Sequence, residues 1–215
     1  IRFAARRRID VMVMECMAVR PEYQWVTEHQ MLRSTVGVIT NSRLDHLDEM
    51  GPGLRNVTLS LCNSLPRQAV AYTSEFRVFP LMQKQAEKKG TQLRYADPAT
   101  VAEEDMRGFT HVEHRENVAL ALQVCEHFGV DKQTALNGMY KAIWDIGATE
   151  IFEVHHQDKK IFFVHTFAAN DPESTGFIID YIRKIHPHLE SVAIVLNTRA
   201  DRMFRSKQLV QMLTR

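Results

Sequence analysis

Two short apolar runs, Val11 to Met14 and Val36 to Thr40, each stop abruptly at residues that can hold a cation or a phosphate. Runs of this length read as buried β-strands, and polar residues at their carboxyl ends are where a parallel α/β sheet presents a site. Glu15 follows the first run, and Asn41, Asp45, His46 and Asp48 follow the second. Further along, Leu54, Val57, Leu61 and Leu65 mark one face of a helix, preceded by the turn Gly51-Pro52-Gly53. Ala69 to Thr73 reads as a strand, Glu75 to Lys89 as a helix closed by Gly90, and Gln92 to Tyr95 as another strand.

Pro98 argues against regular structure in the acidic stretch Asp97 to Asp105. Asn117 to Phe128 is predicted helical, with Asn117 as its N-cap, and Asp131 caps a further helix to about Trp144. A helix within Pro21 to Leu32 and one ending near Arg8 complete this part. Strands alternating with helices predict a mostly parallel sheet. Asp158-Lys159-Lys160 is a polar turn between Glu150–His155 and Ile161–Phe167, a hairpin or a domain crossing. The pattern then restarts with a helix over 174–186, a strand over 192–196 and a helix over 204–214, the beginning of a second α/β unit.

Composition narrows the function classes. The 215 residues carry 27 Lys and Arg against 26 Asp and Glu, so a net charge of +1 offers no broad attraction to nucleic acid or acidic membranes. Arg6-Arg7-Arg8 reads as the cationic end of a helix. Cys16, Cys62 and Cys125 lack metal-ligand spacing and are expected to be free, buried thiols. No apolar run reaches the roughly 18 residues that span a bilayer.

A single strand-end acid and a His flanked by acids suit an oxygen-preferring cation such as Mg²⁺ better than zinc. Each also has a plainer reading: Glu15 as a solvated strand-end acid, His46 as a surface residue, and Asp45 and Asp48 as helix-start acids. ECMAVRPEY, followed by N-x-x-x-D-H-x-D-x-M-G-P, resembles the ATP-dependent amide ligases of the Mur ligase superfamily, most closely the ATPase subunit of poly-γ-glutamate synthase. FAANDPEST (167–175) and NTRADRMFR (197–205) extend the resemblance over most of the chain.

The resemblance implies an ATP-dependent acid–amino acid ligase with ATP and Mg²⁺ as cofactors. Glu15 and His46 would serve the metal and catalysis, and Asn117 would approach adenine. Asn170 and Asp171 would face the site, with Asp171 counted as catalytic and Asn170 as cofactor-binding. Asp201 and Arg202 would contact ribose and phosphate, for which a carboxylate and a forked guanidinium are suited. The helix-start signals of Asn170, Asp171, Pro172 and Ser174 equally describe a plain helix N-terminus. Thr166 stands where many such ligases carry Asp, so no role passes to that position.

The family also requires a G-x-x-G-K-[ST] phosphate loop, which this sequence lacks. In the family that loop lies upstream of ECMAV, so the chain is expected to be a portion of a longer protein, inactive alone. Residues 1–158 are expected to be the central ATPase domain, missing its phosphate loop, and 159–215 the start of a Rossmann-like C-terminal domain. The implied partners are glutamate, the growing poly-γ-glutamate chain and small membrane subunits at the cytoplasmic face, with a homo-oligomer allowed. Folylpolyglutamate synthase-like or peptidoglycan-precursor ligases share the scaffold, and a non-catalytic assembly module is the alternative of another class.

Overall fold

The computed structural model describes residues 2–143, 147–189, 191–198 and 200–214, without the side chains of Arg2, Phe3, Ala5 and Asp201. The chain divides into two compact units, residues 1–101 with 115–129, and residues 102–114 with 130–215.

In the first unit, α1 (Arg2–Arg7) precedes an irregular stretch, then α2 (Pro21–Val26) runs into a π-helical turn, Thr27–Leu32. β1 (Val36–Ile39), α3 (Leu47–Met50), α4 (Leu54–Leu61), β2 (Val70–Thr73), α5 (Phe79–Glu87) and β3 (Gln92–Tyr95) follow. The three strands form a parallel sheet in the order β1-β2-β3, with Val36 opposite Val70 and Val70 opposite Gln92. β2 is central and covered on both faces, which is why its apolar run is continuous rather than alternating. On one face Ile39 and Ala71 pack with Cys62 and Leu65 after α4 and with Met82 and Ala86 of α5. The adjacent Tyr72 points the other way, its hydroxyl 3.0 Å from Nδ1 of His127 in a later helix of the same unit.

The second unit opens with α6 (Glu103–Met106); the chain then returns to the first for α7 (Arg115–His127). α8 (Lys132–Lys141), β4 (Glu150–His156), β5 (Lys159–His165), α9 (Pro172–Ile185) and α10 (Met203–Leu213) follow. β4 and β5 are an antiparallel hairpin turning at Gln157-Asp158, with Gln157 at φ 53°. Asp131 caps α8 by accepting from Thr134 N–H, as its position predicts, whereas Trp144 lies outside the described residues. Ile178 and Ile182 give α9 its buried face.

Several expectations are corrected. Val11 to Met14 is not a strand: it pairs with no described strand and is exposed throughout, Val13 to 92%. Residues 192–196 likewise form no strand, with Val195 95% exposed, so the sheet of the second unit among the described residues is the antiparallel hairpin alone. β-type side chains make a strand only when another strand satisfies their backbone groups. Pro98 begins a 3₁₀ turn, Pro98–Thr100, where its missing N–H costs nothing, and Asp97 caps it through Ala99 N–H. The helix expected from Glu75 starts at Phe79, because Glu75 to Arg77 are engaged elsewhere. Cys16, Cys62 and Cys125 are free thiols, of which Cys62 alone is fully buried.

Candidate nucleotide and cation site

The carboxyl ends of β1 and β2 lie side by side, and the chain beyond each is held by the other. After β1, Asn41 and Ser42 begin the loop to α3; after β2 come Ser74, Glu75, Phe76 and Arg77. Glu75 is only 3% exposed. Its Oε2 accepts from the backbone N–H of Ser42 at 3.0 Å and from Arg77 Nη2 at 2.9 Å. Its Oε1 accepts from Arg77 N–H at 2.9 Å and Arg77 Nε at 3.0 Å. Arg77 Nη2 also donates to the Ser42 carbonyl at 2.8 Å. Burial alone would raise the Glu75 carboxyl; the hydrogen bonds from Arg77 and Ser42 more than offset it and hold the group below the usual glutamate range.

At the far end of this loop His46 adopts φ 51°, ψ 39°, a left-handed conformation uncommon outside glycine. It precedes α3, and its carbonyl accepts from Glu49 and Met50 N–H. Asp45 accepts from His46 N–H at 2.9 Å, and its other oxygen lies 3.5 Å from His46 Nε2. Arg20, in the ECMAVRPEY motif, pairs with Glu49 in α3 at 2.8 Å, which brings the two motifs into contact. Glu15 itself is exposed, in the irregular stretch before α2.

Asn117 is the third residue of α7 rather than its N-cap, since the helix begins at Arg115. That first turn is tied to the same edge of the sheet, because Ser74 Oγ donates to the Glu116 carbonyl at 2.8 Å. β2 therefore anchors both the loop carrying His46 and the turn carrying Asn117. In the second unit Asp171 is 8% exposed and caps α9, accepting from Ser174 N–H at 2.9 Å and from the Ser174 hydroxyl; the helix starts at Pro172, two residues ahead of Ser174. Asn170 is exposed beside it. Arg202 is exposed immediately before α10, and the side chain of Asp201 lies outside the described residues.

Among the described residues no three His, Cys, Asp or Glu side chains form a ready-made metal centre. A Mg²⁺ ion carried by nucleotide phosphates needs only one or two protein carboxylates and keeps several waters. The Asp45–His46 corner fits that demand and does not fit an all-protein cage. Ser74, Glu75 and Arg77 escaped sequence reasoning, although the signal was present: Glu75 follows the buried run AYTS as Glu15 follows VMVM, with an Arg two residues on.

Comparison with known proteins is consistent across sequence and fold. Residues 151–215 match the family model described as the poly-gamma-glutamate synthase CapB C-terminal domain. Over 208 residues, 97% of the chain, it is 35% identical to capsule biosynthesis protein CapB of Bacillus anthracis, covering 45% of that protein. It is 32% identical over the same length to PGA synthase CapB of Bacillus subtilis, covering 53% of it. The chain thus spans about half the length of these curated relatives.

Among solved structures, the apo form of FPGS from L. casei superposes with a TM-score of 0.63 at 15% identity, over 98% of this chain and 55% of that one. An FPGS–AMPPCP complex gives 0.62 at 13% identity, over 95% and 62%. E. coli FolC in complex with DHPP and ADP gives 0.54 at 18%, over 79% and 41%. By sequence the chain is similar to the CapB proteins over 97% of its length, and it shares the α/β fold of FPGS and FolC.

Proposed function

We propose that this chain is part of an ATP-dependent ligase that forms γ-glutamyl amide bonds in poly-γ-glutamate synthesis. The observation that carries the reading is its 35% identity to CapB over 97% of its length. Residues to about 158 form the central ATPase domain and 159–215 the start of the C-terminal domain, a reading supported by the family match from residue 151. A carboxylate is a poor electrophile, so its oxygen first attacks the γ-phosphorus of ATP and ADP departs. The amine of an incoming glutamate then attacks the acyl carbon, phosphate leaves with the carboxylate oxygen, and the amine loses its proton.

In this scheme Glu15 and His46 serve a Mg²⁺ ion, which when bound would neutralise charge on the phosphates. Asn117 approaches adenine, and Asp201 and Arg202 meet ribose and phosphate. Asn170 and the α9 cap Asp171 shape the loop nearest the acceptor carboxylate. No described helix is long and apolar enough to cross a membrane. The native setting proposed is peripheral, at the cytoplasmic face beside small membrane subunits, as the family resemblance implies.

Phosphate release from ATP by the complete protein tests the reaction. It is expected to depend on glutamate and a poly-γ-glutamate acceptor; dependence on a folate or a nucleotide sugar alone would overturn it. The fold shared with FPGS and FolC makes the folate arm the necessary comparison. Glu15→Ala and Arg202→Ala are each expected to weaken ATP binding about tenfold or more. Binding undiminished in both would favour a non-catalytic assembly module.

A further inference from the structure

Main-chain pairing between β1 and β2 stops at Ile39 opposite Thr73, yet the two chains stay bound for several residues more. Side chains take over from the ladder there. The Glu75 carboxylate receives the Ser42 N–H, and the Arg77 guanidinium donates to the Ser42 carbonyl, so both backbone groups of one loop residue are held from the neighbouring strand end. The carboxylate and guanidinium in turn hold each other through both oxygens, at 2.9 Å and 3.0 Å. Glu75 is 3% exposed and satisfied by four donors, the condition under which a buried charge becomes a rigid anchor instead of a liability. Ser42 is fully buried, and its own hydroxyl finds no protein partner among the described residues, so the backbone contacts are what fix it.

Ser42 stands three residues before Asp45 and four before His46, in the loop whose far end is the left-handed turn at His46. A left-handed His costs about 1–3 kcal/mol and persists only where its surroundings determine it. The α3 turn fixes one side of it, since Glu49 and Met50 N–H donate to the His46 carbonyl. On the other side, the Glu75–Arg77 clasp holds the chain at Ser42, four residues before it.

We infer that Glu75 and Arg77 are positioning residues, a side-chain clasp from β2 that sets the Asn41–His46 loop in the geometry needed to receive Mg²⁺ and the nucleotide phosphates. The inference rests on the ligase reading of this loop. Removing the negative charge in Glu75→Gln keeps the shape but weakens the grip on Arg77. Arg77→Lys keeps a charge but cannot fork onto the carboxylate and reach the Ser42 carbonyl at once.

Three measurements on the complete protein test this: affinity for Mg²⁺ with a non-hydrolysable ATP analogue, the Mg²⁺ concentration for half-maximal glutamate-dependent ATP turnover, and amide exchange along residues 41–50. Glu75→Gln and Arg77→Lys are expected to raise the half-activating Mg²⁺ concentration and the analogue's Kd by about tenfold or more. The KM for glutamate should be little changed, and the loop amides should exchange faster while those of β2 and β3 stay protected. A merely structural role would lower thermal stability and expose the strands without separating Mg²⁺ dependence from the glutamate KM. Folded variants with wild-type Mg²⁺ dependence, analogue binding and loop exchange overturn the inference alone. Wild-type protein that neither binds the analogue nor turns over ATP with glutamate overturns the ligase reading and this inference with it.

Discussion

Lys89 shows how one side chain can complete an element to which it does not belong. Its Nζ donates to the carbonyls of Cys62, Leu65 and Asn63, at 2.7, 3.1 and 3.2 Å, in the turn after α4, and lies 3.2 Å from Nε2 of His29. Burial lowers the affinity of Lys89 for its proton, and burial followed by the Lys89 charge does the same to His29. Lys89→Met keeps the bulk and removes the ammonium donor from these carbonyls, and a loss of about 1–3 kcal/mol is expected in denaturant unfolding. With the ammonium gone, His29 is expected to titrate higher by NMR; an unmoved His29 would contradict the contact. None of this could be seen in the sequence, where Lys89 is only the last polar residue before a glycine. Glu75 was legible only as an acid at a strand end, since what such a residue holds depends on which other strand end lies beside it.

The elements of the first unit follow closely from local chemistry. β1, β2, β3, α4 and α5 stand within a few residues of where apolar periodicity and turn residues put them. β1 also carries a requirement set by its neighbours. A Cβ on Gly37 would lie 2.5 Å from Pro66 Cδ and 3.3 Å from Ala71 Cβ, in register with Ala71 on β2. Gly37→Ala is expected to cost about 1–3 kcal/mol through overpacking against a rigid ring, read as a lower Tm. A wild-type Tm would mean that Pro66 does not pack there. Val11–Met14 and 192–196 went the other way: the residues favour strands, but no described strand pairs with either.

For the molecule as a whole, those two runs leave apolar side chains in water. Val13→Lys and Val195→Lys in the 215-residue chain are expected to shift Tm by about 2 °C at most, because neither side chain is buried. A large drop in either would show the run to be packed as a strand after all. The sequence by itself determined the α/β character, the central strands and the likeness to the CapB proteins, because periodicity and motif spelling are local properties of the chain. It also selected the loop after β1, since D-H-x-D is written in contiguous residues. Only the tertiary structure decided which apolar runs are strands, that His46 sits in a left-handed turn, and that Ser74 and the Glu75–Arg77 pair bind two distant segments to one sheet edge. The last of these depends on partners 33 to 42 residues away in the chain, and the identity of such partners is fixed by packing and hydrogen-bond satisfaction rather than by any pattern along the sequence.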